Sequence, residues 1–335
     1  MKYLRLVFVF VPLIIGLVLG GAAWWMSFGR QPDSSEKFVS FEIVPGSTGY
    51  SIAKQLEEQD LISSARLFSW FIKVAGDAQS FQAGYFSLKK GMSFAGIANA
   101  LQSAEAREVQ ITFPEGYTAD QIGKLVIETF PHVTLEEWDF YTSKDSLLKE
   151  VIPNMPAGAS LEGYLFPDTY RFKATDGVEV IITKLLKTAE EKWQEAGLPA
   201  DGRINGLSRN ELIILASIVE REVQSPDDMT KVAGLFYNRL AIDMALQADS
   251  TVNYVTGGTS PSITFDETRL DSPYNTYKYR GLTPGPISNP GLNALSAVIN
   301  PEDHEWLYFL STPTGETIYA KNFSQHVANK NKYLK

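Results

Sequence analysis

Residues 109–126 read VQITFPEGYTADQIGKLV. Val109, Ile111 and Phe113 alternate with Gln110 and Thr112, the period-two pattern of a half-buried strand. Gly116 follows, Thr118 is placed to cap a helix, and Ile122 and Val126 form an i, i+4 pair on one helix face. The stretch predicts a strand, a tight turn and a capped helix. Two other segments share its spacing: Gly46-Ser47-Thr48 precedes Ile52 and Leu56, and Gly91-Met92-Ser93 precedes Ile97 and Leu101. Val39-Ser40-Phe41-Glu42-Ile43-Val44 supplies an alternating strand ahead of the first copy. A short strand–turn–helix unit used three times, followed by longer helices mixed with short strands, is an α+β pattern.

The 335 residues are 44% hydrophobic and 21% charged, the composition of a globular chain long enough for two domains. Acidic residues outnumber basic ones by 39 to 30, and the net charge of −9 argues against nucleic acid as a partner. The absence of cysteine excludes disulfide frameworks, thiolate zinc sites, iron–sulfur clusters and cysteine nucleophiles. His132, His304 and His326 lack metal-ligand spacing, and no nucleophile elbow, phosphate loop or dinucleotide fingerprint is present. No metal or cofactor is expected, and acid–base chemistry by carboxyl groups stays open.

Leu6–Phe28, LVFVFVPLIIGLVLGGAAWWMSF, carries no charge over 23 residues. At ~1.5 Å per residue it covers a hydrocarbon core of about 30 Å. Lys2 and Arg5 before it, and Asp33 and Glu36 after it, orient the N-terminus to the cytoplasm. A cleaved signal peptide is the alternative, but the apolar run is too long and lacks a polar cleavage region before Trp24 and Trp25. The expected organisation is a tip and transmembrane helix at 1–29, a linker at 30–38, a small module at 39–105 and a larger mixed domain at 106–335.

In the larger domain, Val178–Glu195 and Arg209–Val223 have helical periodicity, and LIILASIV at 212–219 is apolar on every side, as in a fully buried helix. Ser225-Pro226-Asp227-Asp228 opens a further helix running to about Ile242. Residues 247–290, rich in Gly, Pro, Ser, Thr, Asn and Tyr, read as long ordered loops. Trp306–Leu310 and Thr317–Ala320 read as a hairpin. Glu220 ends the apolar run, with Ile213, Ala216, Ser217 and Val223 as helical neighbours. A carboxyl on such a face is partly desolvated and holds its proton toward neutral pH, as a general acid must. An ordinary glutamate where a buried helix surfaces fits the same pattern. Glu222 lies about 200° further round and cannot share its face.

Two resemblances extend this reading. Residues 39–105 resemble a LysM-type module, in which G-x-[ST]-x-x-x-I opens the first helix, and this implies binding of N-acetylglucosamine-containing glycans. Capping of any short strand–helix unit needs the same spacing, so the residues alone leave both readings open. ELIILASIVERE at 211–222 resembles the signature helix of the YceG-like (MltG) endolytic murein transglycosylases. LEGYLFPDTYRF at 161–172, LQADSTVNY at 246–254, SPYNTYKYRGLTPGPISNPG at 272–291 and YAKNFSQH at 319–326 match further blocks in family order.

The resemblance implies bacterial origin and cleavage of peptidoglycan glycan strands at the MurNAc–GlcNAc bond, leaving 1,6-anhydroMurNAc ends. Glu220 would be the catalytic acid. It implies a place at the bacterial cytoplasmic (inner) membrane, with the catalytic domain outside, and a link to cell-wall synthases and to strand elongation. Substrate-binding candidates are Glu222, which would orient the site or bind sugar, and Glu162 and Tyr164 from the second block. Gln247, Asp249, Ser250, Thr251 and Tyr254 offer polar groups to sugar hydroxyls and acetamido groups. Tyr274, Asn275 and Thr276 add an aromatic face beside amide and hydroxyl. A non-catalytic peptidoglycan-binding scaffold, and a muramidase in which water attacks, are the competing functions.

Overall fold

The computed structural model describes residues 38–44, 46–75, 81–102, 108–198, 200–258 and 262–334. The expected anchor at Leu6–Phe28 lies outside them. Among the described residues no helix is long and apolar enough to cross a membrane. These residues form eleven α-helices and eight strands, the strands paired in four two-stranded sheets, a mixed α+β architecture.

The chain divides into two compact units. The first runs to Val109 and includes Arg171–Thr175. It contains β1 (Phe38–Ile43), α1 (Gly49–Glu58), α2 (Ala65–Ala75), β2 (Gly84–Lys89) and α3 (Phe94–Gln102). β1 and β2 are antiparallel, with Phe41 opposite Phe86. The two strand–turn–helix copies form as their spacing predicts. Gly46 and Gly91 turn the chain at φ +85° and +84°, a region that only glycine adopts freely. The Thr48 hydroxyl accepts the Ser51 N–H at 3.2 Å, and the Ser93 hydroxyl accepts the Gly96 N–H at 3.2 Å. Ile52, Leu56, Ile97 and Leu101 enter one core with Phe41, Phe68 and Phe71. α2, between the copies, was not expected from the sequence. The expected boundary at 105–106 falls outside the described residues.

β3 (Glu108–Thr112) pairs with β4 (Thr169–Lys173). The second unit comprises residues 110–170 and 176–335. It holds α4 (Ala119–Thr129), α5 (Leu135–Thr142), α6 (Val178–Glu195), the short β5 (Arg203–Ile204) and β6 (Leu207–Ser208), and α7 (Arg209–Glu222). α8 (Pro226–Ala241), α9 (Asp249–Thr256), α10 (Leu292–Ile299), β7 (Tyr308–Ser311), β8 (Thr317–Ala320) and α11 (Phe323–Tyr333) follow. The third copy behaves as the others: Gly116 takes φ +74°, and Thr118 caps α4 in a reciprocal box with Gln121. The loop expected over 247–290 contains α9, whose β-branched and polar sequence DSTVNYVT carries little helical signal.

α7 is the axis of this unit. Ser208 and Glu211 form a capping box at its start, and every residue from Leu212 to Val219 is buried. α8, α9 and α10 pack around it. At its first position the buried Arg209 pairs with Glu190 of α6 and lies 5.0 Å over the Trp193 ring. Near the middle, the Ser217 hydroxyl accepts the Ile287 N–H at 3.0 Å, which fixes the chain entering α10.

Gly163 shows how tightly the second unit closes. Its φ is +85°, and a methyl group there would sit 2.4 Å from the Pro286 ring. Replacing it combines backbone strain with a clash against a rigid ring. Gly163→Ala is expected to cost about 2–4 kcal/mol in denaturant unfolding, whereas alanine at the open Gly158 turn costs only the backbone strain, about 1–2 kcal/mol.

Candidate active site

α7 ends in Glu220-Arg221-Glu222, and the three side chains go to three different loops. Glu220 Oε2 accepts the Gly291 N–H at 2.9 Å, at the first turn of α10. Arg221 Nη1 donates to the Gly116 carbonyl at 3.1 Å, in the turn before α4. Glu222 Oε1 accepts the Ser250 N–H at 3.2 Å and its hydroxyl at 2.6 Å, at the start of α9. The 200° separation expected for the two glutamates therefore places them against different helix N-termini.

Burial pushes the Glu220 carboxyl up to about 7. The Gly291 N–H opposes that shift, the neighbouring Glu115 adds to it, and Arg221 opposes it. Glu115 reaches this position because Gly291 has no side chain: a methyl group there would lie 1.9 Å from Glu115 Oε1. Two carboxyl groups thus flank one glycine, and repulsion between them favours a proton on the more buried one. Burial likewise raises Glu222, against the Ser250 hydrogen bonds.

Asn289 joins the loops. Its Nδ2 donates to the Tyr117 carbonyl at 2.9 Å and to Glu162 Oε1 at 3.0 Å, and its Oδ1 accepts the Leu165 N–H at 2.8 Å. Its backbone N–H reaches the Tyr117 carbonyl at 2.8 Å, and its carbonyl accepts the Gly116 N–H at 2.9 Å. Glu162 also receives the Ala119 N–H on both oxygens, at 3.0 and 3.1 Å, at the start of α4. Burial carries Glu162 up to about 8 despite these donors, which favour the charged form.

Glu162 faces two cavities. One, of about 430 Å³, is lined by Thr118, Asp120, Lys124, Arg221, Ser250 and Tyr254 among others. The second, of about 320 Å³, is lined by Lys144, Ser160, Asn210, Tyr274 and the Pro284–Pro286 turn among others. The Tyr254 and Tyr274 rings lie 5.2 Å apart, one on each cavity. The two cavities present carboxyl groups, amides and an aromatic pair; Glu220 is in neither lining, and its neighbour Arg221 lines the first.

The sequence-nominated residues differ in whether they line a cavity. Glu162, Ser250 and Tyr254 line the first cavity and Tyr274 the second. Gln247 is exposed at a φ of +49°, and Asp249 accepts the Tyr277 hydroxyl. Tyr164, Thr251, Asn275 and Thr276 are 1%, 0%, 0% and 2% exposed, and neither cavity's lining includes them. Their polar atoms are used internally: Tyr164 donates to Asn210 at 2.6 Å, Thr251 and Thr276 meet at 2.9 Å, and Asn275 holds the Thr268 and Leu270 carbonyls. They set the walls. Glu115, Asn289 and Gly291 were missed. Glu115 lies within the glycine-turn pattern and the other two within an Asn-Pro-Gly sequence, each a readable turn signal, but what they touch is distant in the chain.

Residues 41–332 match the YceG-like family. The chain belongs to that family. Among its relatives, the endolytic murein transglycosylase of Bacillus subtilis (strain 168) is 34% identical over 332 residues, covering 95% of this chain and 91% of that protein. The endolytic murein transglycosylase of Streptococcus pneumoniae serotype 2 (strain D39) is 33% identical over 324 residues. That alignment takes in 88% of this chain and 58% of the pneumococcal protein. The crystal structure of a YceG-like protein from Listeria monocytogenes matches with a TM-score of 0.56 at 32% identity, covering 88% of this chain and 99% of that one. In this YceG-like chain the segment ELIILASIVERE, read as resembling the family's signature helix, lies within α7.

A carboxyl whose affinity for protons rises on folding weakens the fold as pH climbs from its unfolded value through its folded one. For Glu220 that window runs from 4.5 to about 7. Glu220→Gln keeps an acceptor for Gly291 and removes the titration. It is expected to unfold at a higher urea midpoint than wild type at pH 8, with the difference closing below pH 4.5.

Proposed function

We infer that the chain is an endolytic lytic transglycosylase of peptidoglycan, with Glu220 as its acid. The observation that carries this reading is the state of Glu220. It is half-buried, raised to about 7, and engaged through Oε2 alone among the described hydrogen bonds. Such a group can hold a proton at neutral pH and deliver it from its other oxygen.

In the reaction, Glu220 protonates the glycosidic oxygen between MurNAc and GlcNAc as the bond from C1 breaks. The resulting carboxylate then accepts the proton of the MurNAc C6 hydroxyl as that oxygen attacks C1. The product is a 1,6-anhydro ring, no water is consumed, and Glu220 is protonated again. Because the nucleophile belongs to the substrate, its effective concentration is high, and a second protein carboxyl at the nucleophile's position is not needed. The Gly291 N–H steadies the carboxylate between the two transfers. The Tyr254 and Tyr274 rings suit the apolar faces of sugars, and Asp120, Asn253 and Ser250 suit their hydroxyl and acetamido groups.

Glu115 favours a second reading, hydrolysis. It is an exposed carboxyl next to the acid, where a base could activate water. The products separate the two.

The retained apolar stretch at Leu6–Phe28 would anchor the enzyme in the cytoplasmic membrane, with its N-terminus inside and its catalytic unit outside. There it would meet strands as they emerge from the synthases and limit their elongation. Residues 39–105 would act as a LysM-like glycan-binding module, a role supported by the twice-used glycine turn and capped helix.

Mass spectrometry of purified glycan strands incubated with wild type or Glu220→Gln tests this. Wild type should yield internal fragments ending in 1,6-anhydroMurNAc, and the variant should lose about 10²–10⁴-fold in rate. Wild-type kcat/KM should fall as pH rises through about 7, where Glu220 gives up its proton. Reducing-end fragments would make the enzyme a muramidase. A folded wild type that binds strands without cutting them would make it a scaffold.

A further inference from the structure

α2 turns an apolar and basic face outward. Leu67, Trp70 and Val74 are 48%, 51% and 56% exposed, while Phe68, Phe71 and Ile72 on the other side enter the core of the first unit. At 100° per residue, the exposed residues follow round the helix as Lys73, Arg66, Trp70, Val74 and Leu67, within an arc of ~120°. Basic side chains occupy one edge, aliphatic ones the other, and the indole lies between them. The helix ARLFSWFIKVA contains no acid, although the chain as a whole carries a net charge of −9. A large aromatic between cations and aliphatic groups is the pattern of a helix lying in a bilayer interface, where indole prefers the headgroup level.

The covalent connection limits what this face can meet. Residues 29–37 separate the apolar stretch from β1, and nine residues span at most ~30 Å. A unit held that close to a bilayer meets its surface constantly, and a surface of anionic phospholipid complements Arg66 and Lys73. We propose that the exposed face of α2 docks on the anionic outer surface of the membrane that anchors the chain, with Trp70 at headgroup depth and Leu67 and Val74 toward the acyl chains. This inference rests on the anchor reading of Leu6–Phe28. Docking would fix the height and orientation of the first unit above the bilayer.

The chain has no cysteine, so a single one can be introduced for a spin label without background. Full-length Val74→Cys and Leu67→Cys would be labelled in nanodiscs of phosphatidylethanolamine and phosphatidylglycerol. Collision with oxygen, which concentrates in lipid, is compared with collision with a water-soluble nickel complex. Leu17→Cys reports on the anchor, and Leu147→Cys, at a site 78% exposed in the second unit, serves as the aqueous reference. Both α2 labels are expected to favour oxygen several-fold over the reference. Nickel access equal to Leu147→Cys, with Leu17→Cys in lipid, would overturn docking and leave the anchor standing. Nickel access at Leu17→Cys would overturn the anchor reading and the docking with it. Shielding of both α2 labels from both reagents would mean that protein covers the face, and would overturn the bilayer as its occupant. Using two label sites guards against a single substitution that disturbs the fold.

Discussion

The side chain of Asn289 is the junction on which the second unit depends. It is wholly buried, and its amide makes hydrogen bonds to Tyr117, Glu162 and Leu165. Three segments far apart in the chain are thereby held at fixed spacing: the turn before α4, the Leu161–Leu165 corner and the entry to α10. Two residues beyond Asn289, the Gly291 N–H meets Glu220. A buried amide with all these partners is costly to displace, because every donor or acceptor it left would lie unpaired in a low-dielectric interior. The position of the Glu220 carboxyl is therefore set by polar interactions behind it, on loops, while α7 supplies the rigid support.

The electrostatics follow from that scaffold. Glu220, Glu222 and Glu162 each face the first turn of a different helix, where backbone N–H groups and the helix dipole favour negative charge, and burial opposes that charge at all three. Glu162 has both oxygens engaged, and Glu222 takes two donors of Ser250 on Oε1. Glu220 has one oxygen engaged and Glu115 beside it, which suits it to exchange a proton. An ordinary glutamate at a helix end is separated from an acid by which loops come to meet it.

That difference explains what the sequence could convey. The three glycine turns were readable because each is local: a left-handed glycine, a hydroxyl cap and two apolar residues within eleven positions. The buried run of α7 and the emergence of Glu220 from it were readable for the same reason. α9 was not, since its residues are β-branched and polar and no side chain caps it, and α2 was overlooked although Ser64 caps its start. Glu115, Asn289 and Gly291 escaped because Asn289 and the Tyr117 carbonyl it binds are 172 positions apart. Tyr164, Thr251, Asn275 and Thr276 were read as ligand contacts because polar loop residues look alike in sequence. Burial turned them into internal partners.

The most direct test of this account is the ionisation of Glu220 itself, followed by carbon-13 NMR of the glutamate side-chain carboxyls and assigned by the signal absent from Glu220→Gln. A midpoint near 7 would show that the loops meeting α7 hold an acid poised for proton transfer. A midpoint near 4.5, the value of an unperturbed glutamate, would contradict the account, since the carboxyl would then have no proton to give at neutral pH.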